Sequence, residues 1–228
     1  MASVLIEIRS AEGGDDSKLL VREQLNIYAK FAARQNLDLE LLDEQRGMVI
    51  CRLSGSPTII EKFARYEVGG MRWQRVPPNE KRGRVHTSTV TVSVLDTKVQ
   101  EIPELDRNDV EFTTCRGSGA GGQHRNVTDS AVQATHKPSG LMVRVESERS
   151  QHQNKASALT LLAARLAERA QAAADRKRND KRKEQVGSGM RGDKRRTIAV
   201  QRGQVVDHVT GKKTTTKAYF RGDVSSLW

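Results

Sequence analysis

Cysteine is almost absent: Cys51 and Cys115 are the only two in 228 residues, and they form no CxxC pair. The five histidines are scattered rather than spaced as metal ligands, so neither a disulfide framework nor a zinc site is expected, and no cofactor is called for. No apolar run approaches the roughly 20 residues of a membrane span, and the first residues hold no long apolar segment, which predicts a cytoplasmic chain without a membrane partner. Aromatic residues make up 4% and apolar residues 36%, excluding one very large core and pointing to modest ones in one large or two small domains. Internal repeats and low-complexity stretches are also missing, apart from one basic run.

What the chain does have is positive charge, and it is unevenly spread. The net charge is +11; residues 1–100 hold 15 Lys/Arg against 13 Asp/Glu, whereas residues 101–228 hold 24 against 15. Residues 176–196 carry ten basic side chains against Asp180, Glu184 and Asp193. Such density suits neutralising phosphates and releasing their counterions, although a solvated helix face would also read this way.

Hydrophobic periodicity divides the chain. Residues 4–8 predict a strand, and Val21, Leu25, Tyr28 and Ala32 make one stripe of a helix running to about Arg34. Leu37, Leu39 and Leu41 alternate with acids, Met48 to Leu53 is a short apolar run, and a second helix follows Pro57. Val90, Val92 and Val94 alternate with Thr and Ser as a strand. Further on, Val110 to Cys115 predicts a strand, residues 117–122 a glycine-rich loop, and Ala131 to His136 with Leu141 to Glu146 a hairpin around Pro138-Ser139-Gly140. Leu159, Leu162, Leu166 and Ala170 lie along a long helix that dissolves into the basic run. Thr197 to Val200 and Gln204 to Val206 are extended pieces that need a sheet, for which the first domain is the natural host.

Gly117-Ser118-Gly119-Ala120-Gly121-Gly122 satisfies GxGxxG, but a dinucleotide loop opens directly into an apolar helix, and here polar Gln123 to Asp129 lead into a hairpin instead. Gly119 to His124, Asn126, Thr128 to Val132, Thr135-His136, Glu148 to His152 and Asn154-Lys155 closely resemble the catalytic domain of bacterial class I peptide release factors; Gly187-Ser188-Gly189, Arg191, Asp193, Arg195-Arg196-Thr197, Asp207 and Thr210-Gly211 extend the likeness. Chemistry fits this resemblance. Ester hydrolysis needs a water held against the carbonyl carbon and donors aimed at the developing oxyanion. Adjacent glycines allow positive φ and let backbone enter a crowded RNA pocket. Gln123 cannot be a general base, so its backbone N–H and amide would position water; His124 is the competing acid–base candidate. The resemblance implies Gly121, Gly122 and Gln123 as the catalytic loop in the ribosomal peptidyl transferase centre, with methylation of Gln123 by a glutamine methyltransferase. Arg125 stands where that family usually has valine.

A second likeness lies in the first domain. Gly69-Gly70, Arg72, Gln74-Arg75-Val76-Pro77 and Gly83 to Ser88 resemble the stop-codon-reading region of the UAA/UAG-type factor. By that resemblance Pro77-Pro78-Asn79 occupies the recognition tripeptide, with Asn79 replacing threonine; Gln74, His86 and Thr87 match codon-contacting positions, and Gly13 with Asp16 the tip of the recognition helix. Met71 also departs from a common histidine, and the helical domain that precedes this region in ordinary release factors is not part of the sequence, as in shorter accessory homologues that rescue stalled ribosomes. RNA-binding candidates are His124, Arg125, Arg149, Gln151, His152, Lys155, Arg176, Lys177, Arg178, Lys181, Arg182, Lys183, Arg195 and Arg196.

The expected fold is α+β in two units: a decoding-like α/β sandwich of residues 1–96 plus 197–228, and a catalytic domain of residues 104–186 with a mixed sheet, glycine-rich loop and long basic helix. Residues 97–103 and 187–196 are expected as linkers. The expected activity is release of a peptide from tRNA on the ribosome, at a stop codon or on stalled ribosomes, by a monomer whose partners are ribosomal RNA, messenger RNA in the A site and P-site peptidyl-tRNA. An RNA-binding module without hydrolytic effect is the reading from another class.

Overall fold

The computed structural model describes residues 1–97, 105–118 and 127–228, and the chain divides into two compact units, 1–98 with 178–228 and 99–177. The last turns of the long helix and residues 187–196 thus group with the first unit.

In the first unit, β1 (Ala2–Ser10), β2 (Asp38–Gln45), β3 (Met48–Gly55), β4 (Gly69–Arg75) and β5 (His86–Asp96) are joined by α1 (Gly14–Arg34) and α2 (Pro57–Tyr66). Three late strands, β9 (Arg196–Ala199), β10 (Gln204–Asp207) and β11 (Lys213–Thr215), complete one eight-stranded sheet in the order β11-β10-β9-β4-β5-β1-β3-β2. The extended pieces after residue 196 do find their sheet in the first unit. They join through the β4–β9 pair, which is parallel, whereas the other pairs are antiparallel.

The period-two pattern sends Ile6, Ile8, Val49, Cys51, Leu53, Val90, Val92 and Val94 to one face, against Leu20, Tyr28, Phe31 and Phe63 of the two helices. Burial pushes the Cys51 thiol up to about 12. The predicted helix stripe holds, with Val21, Tyr28 and Ala32 buried and Leu25 partly so. Alternation in β2 misleads, because this is an edge strand: Leu41 is exposed, and a register shift between Leu41 and Asp43 accompanies exposed Leu42. The opposite face of β5 is less open than its Thr/Ser pattern suggests. Thr89, Thr91 and Ser93 are buried, and Gly70 lies so close to Asp193 that a Cβ there would stand 2.6 Å from the Asp193 carbonyl oxygen. At Val94, beyond the end of β4, the Gln185 amide donates to the backbone oxygen at 2.7 Å and accepts from the backbone N–H at 2.9 Å, continuing the ladder with a side chain.

The C-terminal segment packs on the helix side. A short helix α4 (Thr216–Phe220) brings Tyr219 to Gln24, whose amide donates to its hydroxyl at 3.0 Å, and Trp228 meets Phe31 edge-on at 5.4 Å. Beneath them Arg196, fully buried, grips Glu67 through two bonds of 2.7 and 3.0 Å and Asp207 at 3.0 Å; the Trp228 indole donates to Glu67 at 2.8 Å.

The second unit has β6 (Val110–Cys115), β7 (Ala131–His136) and β8 (Leu141–Val145), all antiparallel in the order β6-β7-β8, so the mixed sheet expected here is found in the first unit instead. The helix α3 (Gln151–Val186) lays Ala158 and Leu162 on Val110, Val132, Ala134 and Val143, and its later turns are mostly exposed. Buried Asn154 fixes its start: its amide donates to the Ser130 and Glu148 oxygens at 2.7 and 2.9 Å and accepts from the Glu148 N–H at 3.0 Å.

Removing one partner of a buried ion pair strands the other charge. Glu67→Gln should therefore destabilise the chain by about 3–5 kcal/mol, read as a lower urea midpoint at an unchanged slope. A loss under about 1 kcal/mol would mean that the pair is not a structural anchor.

Candidate functional site

Two elements meet at one end of the first unit: the start of α1 and the hairpin between β4 and β5. Gly13 precedes α1 with φ +134°, and a Cβ on it would lie 2.6 Å from the Ser88 side chain, so glycine permits both the turn and the close approach to β5. The backbones then join, Thr89 N–H donating to Glu12 O at 2.7 Å and Ala11 N–H to Thr89 O at 3.0 Å.

Asp16, expected to face a codon, is instead buried. Its carboxylate accepts from Arg75 at 2.7 and 3.1 Å and from the Ser88 hydroxyl at 2.6 Å, while Arg75 also pairs with Glu23. Asp16 therefore bolts the helix start to the hairpin base, and the exposed groups at the tip are Gly14 and Asp15. Asp15 pairs with Lys18 at 2.9 Å and Arg46 at 3.1 Å; Lys18 is the main cause of its lowered pKa.

Pro77 is buried and Pro78-Asn79 are exposed at the corner of a turn closed by Glu80 N–H to Pro77 O at 3.0 Å. Proline at the second position and negative φ at Asn79 suit a type I turn. Glu80 then organises the return path. Its side chain is 6% exposed and accepts from the Arg82 N–H at 2.7 Å, Arg84 at 3.0 Å and the His86 ring at 2.8 Å. The Arg82 N–H above all, then Arg84 and His86, hold its carboxyl down at about 2. Sequence reading missed Glu80; the signal was a lone acid among Lys81, Arg82 and Arg84 directly after the tripeptide. Register separates the remaining candidates: His86 lies opposite Arg75 on the helix-side face, and Thr87 lies opposite Gln74 on the other. Gln74 also pairs with Ala199 of β9.

The catalytic candidates Gly121, Gly122 and Gln123, together with His124 and Arg125, lie outside the described residues. At the near end of that stretch, Ser118 donates through its N–H and hydroxyl to Glu146 at 3.1 and 3.0 Å, and these bonds lower the Glu146 carboxyl to about 2. Arg149, Gln151, His152 and Lys155 are exposed at the start of α3, with Lys155 lying 4.3 Å from the centre of the Phe112 ring.

The basic run separates by environment. Arg176, Lys177, Arg178 and Lys183 are exposed and have no ion-pair partner among the described residues, and exposed Lys181 reaches Asp96 at 2.6 Å. Arg182 pairs with buried Glu7 at 2.7 Å, and Arg195 is 11% exposed between Tyr66 and Asp207. Arg196 is withdrawn as an RNA contact, since it is the fully buried partner of Glu67.

Fold and site define a two-unit α+β protein in which the first unit presents a polar hairpin beside a helix start and the second carries a glycine-rich segment and a basic helix. Comparison with known proteins gives the family. Residues 1–92 match the PCRF domain and residues 97–209 the RF-1 domain. Peptide chain release factor 1 of Gluconobacter oxydans (strain 621H) and that of Gluconacetobacter diazotrophicus are each 42% identical over 210 residues, which is 90% of this chain and 60% of each relative. RF2 of Thermus thermophilus superposes with TM-score 0.56 at 28% identity, over 99% of this chain and 66% of that one. The chain belongs to the bacterial class I peptide chain release factor family, and spans about 60% of the length of these curated relatives.

The Glu80 latch sets a pH window. Its carboxyl lies below the ordinary value in the folded chain, so its contribution is complete above the unfolded value, about 4.5, and fades as pH falls toward about 2. An NMR titration of Glu80 should show a midpoint near the lower figure; one at the ordinary value would mean the latch is open in solution.

Proposed function

We propose that this protein releases nascent peptides on the ribosome by promoting hydrolysis of the peptidyl-tRNA ester, and that it does so at a stop codon. The observation that carries this reading is the convergence of the α1 start with the hairpin holding Gln74, Pro77, Pro78, Asn79, His86 and Thr87, supported by membership of the release-factor family. Hydrogen-bonding side chains on both faces of β5, with an imidazole on one, suit bases of a single strand that are splayed apart. Gly121, Gly122 and Gln123 would then act in the peptidyl transferase centre by placing a water and donating backbone N–H groups to the developing charge. Nothing in that step asks for a metal or cofactor.

Its partners in this reading are ribosomal RNA, the messenger in the A site and the P-site peptidyl-tRNA, with the exposed cations of α3 meeting phosphates. We place it in the cytoplasm as a monomer and a substrate of a glutamine methyltransferase acting on Gln123. A second reading, rescue of stalled or damaged ribosomes, is favoured by the hairpin itself. Asn79 replaces the hydroxyl of the related factors, and exposed Lys81 and Arg82 seek phosphate whatever the base sequence.

Peptide release from ribosomes carrying each stop codon, a sense codon or an empty A site tests both. Stop-codon release is expected. Gly122→Ala should lower it about 10²-fold or more by displacing backbone, and Gln123→Ala should lose less because it keeps the N–H. Equal release without a codon transfers the assignment to rescue, and no release from any complex sinks both readings.

A further inference from the structure

The face of the sheet that carries Gln74 and Thr87 continues inward, and its next row is unusual. Arg72 of β4 lies opposite Thr89 of β5 and beside Thr197 of β9, so the three side chains share that face. The Thr197 hydroxyl is 2.8 Å from His208 Nε2, and Lys194 and Arg72 both lie close enough to His208 to act on its charge. Arg72 is half-buried, yet it has no ion-pair or hydrogen-bond partner among the described residues; its Nε and the Thr89 hydroxyl are buried without an acceptor or donor. Acids of the adjoining segments are committed elsewhere: Glu12 to Arg191, Asp193 to Ser188, and Asp207 to Arg195 and Arg196. A half-buried guanidinium without a counter-charge is costly unless a ligand supplies one.

We propose that Arg72, Lys194 and His208 form an anion site that holds a backbone phosphate of the same RNA strand whose bases face Gln74 and Thr87. This deepens the codon-reading proposal and rests on it. The guanidinium offers its terminal nitrogens for a charge-assisted contact, Lys194 adds a second cation, and His208 changes charge when the anion arrives. In the free chain burial first, then Lys194 and Arg72, hold the His208 pKa below its ordinary value, with Asp207 opposing. A bound phosphate reverses the local sign, and His208 should take up a proton.

The experiment follows the His208 ring by NMR, assigned through His208→Gln, in the full chain with a single-stranded hexaribonucleotide or with inorganic phosphate. In the wild type the RNA should raise the His208 pKa by about half a unit or more. Arg72→Gln should abolish that shift while raising the starting value, because a like charge has gone. Lys194→Gln, at a loop position that carries no strand pairing, should lower the salt slope of RNA binding by about one and keeps the test valid if the Arg72 variant misfolds. A response to inorganic phosphate alone marks an adventitious ion only and overturns the proposal, as does no response to either probe. Peptide release is scored separately: intact stop-codon release with a silent His208 removes this site alone, whereas a responding His208 without release removes the termination reading.

Discussion

The ion pair between Glu67 and Arg196 is the constraint on which the first unit depends. It joins residues 129 positions apart, one just past α2 and the other opening β9, with both side chains fully out of water. Such a pair adds little net stability compared with an apolar isostere, but it penalises every arrangement that separates the charges. A slip of β9 by one residue would carry Arg196 to the other face of the sheet, away from Glu67, Tyr219 and Tyr28. Burial, with Glu67 nearby, raises the Tyr28 hydroxyl well above the usual range, so it remains a donor to that carboxylate. The pair thereby fixes the register of the one parallel junction, β4–β9, and with it the neighbours of Gln74 and Arg72.

From this register follows the division of labour on β4 and β5. Odd positions of β4, Met71, Trp73 and Arg75, turn toward the helices; even positions, Arg72 and Gln74, turn away. Asp16, Ser88 and Arg75 spend their polar groups on holding α1 to the hairpin, which leaves Gly14, Pro78, Asn79, Thr87 and Gln74 outside that brace and, in the proposed function, available to the messenger. Rigid support beneath exposed polar tips limits the ordering cost of recognition, because the tips need not be fixed at the moment of binding. Glu80 extends the same logic into the loop by fastening its far side to His86.

The sequence was most legible where one physical signal dominated. The α1 stripe, the valine alternation of β5 and the Ala131 to Val145 hairpin appear as read, because burial of one face imposes its period on the residues. β4 was harder to see: Gly69-Gly70-Met71-Arg72 has little strand propensity, and its pairing comes from β5 and β9 together. Short β11 and α4 depend on packing with the C-terminal aromatics, which no local period records. The motifs marked where a site lies but not which of its residues face outward. Asp16 and Arg196 stand in recognisable motifs, yet their burial is decided by partners far along the chain, Arg75 and Glu67.

That distinction changes how the charge should be read. The excess of basic residues in the second part of the sequence counts every arginine alike, but Arg182, Arg195 and Arg196 are answered by Glu7, Asp207 and Glu67 within the fold. In the proposed function, the groups left to release counterions from RNA include exposed Arg176, Lys177, Arg178 and Lys183, Arg149 and Lys155 at the other end of α3, Lys81 and Arg82 on the hairpin, and half-buried Lys194. The salt dependence of RNA binding scales with phosphates contacted rather than with formal charge. It should therefore follow these surface groups, while the buried arginines set the positions from which the surface groups act.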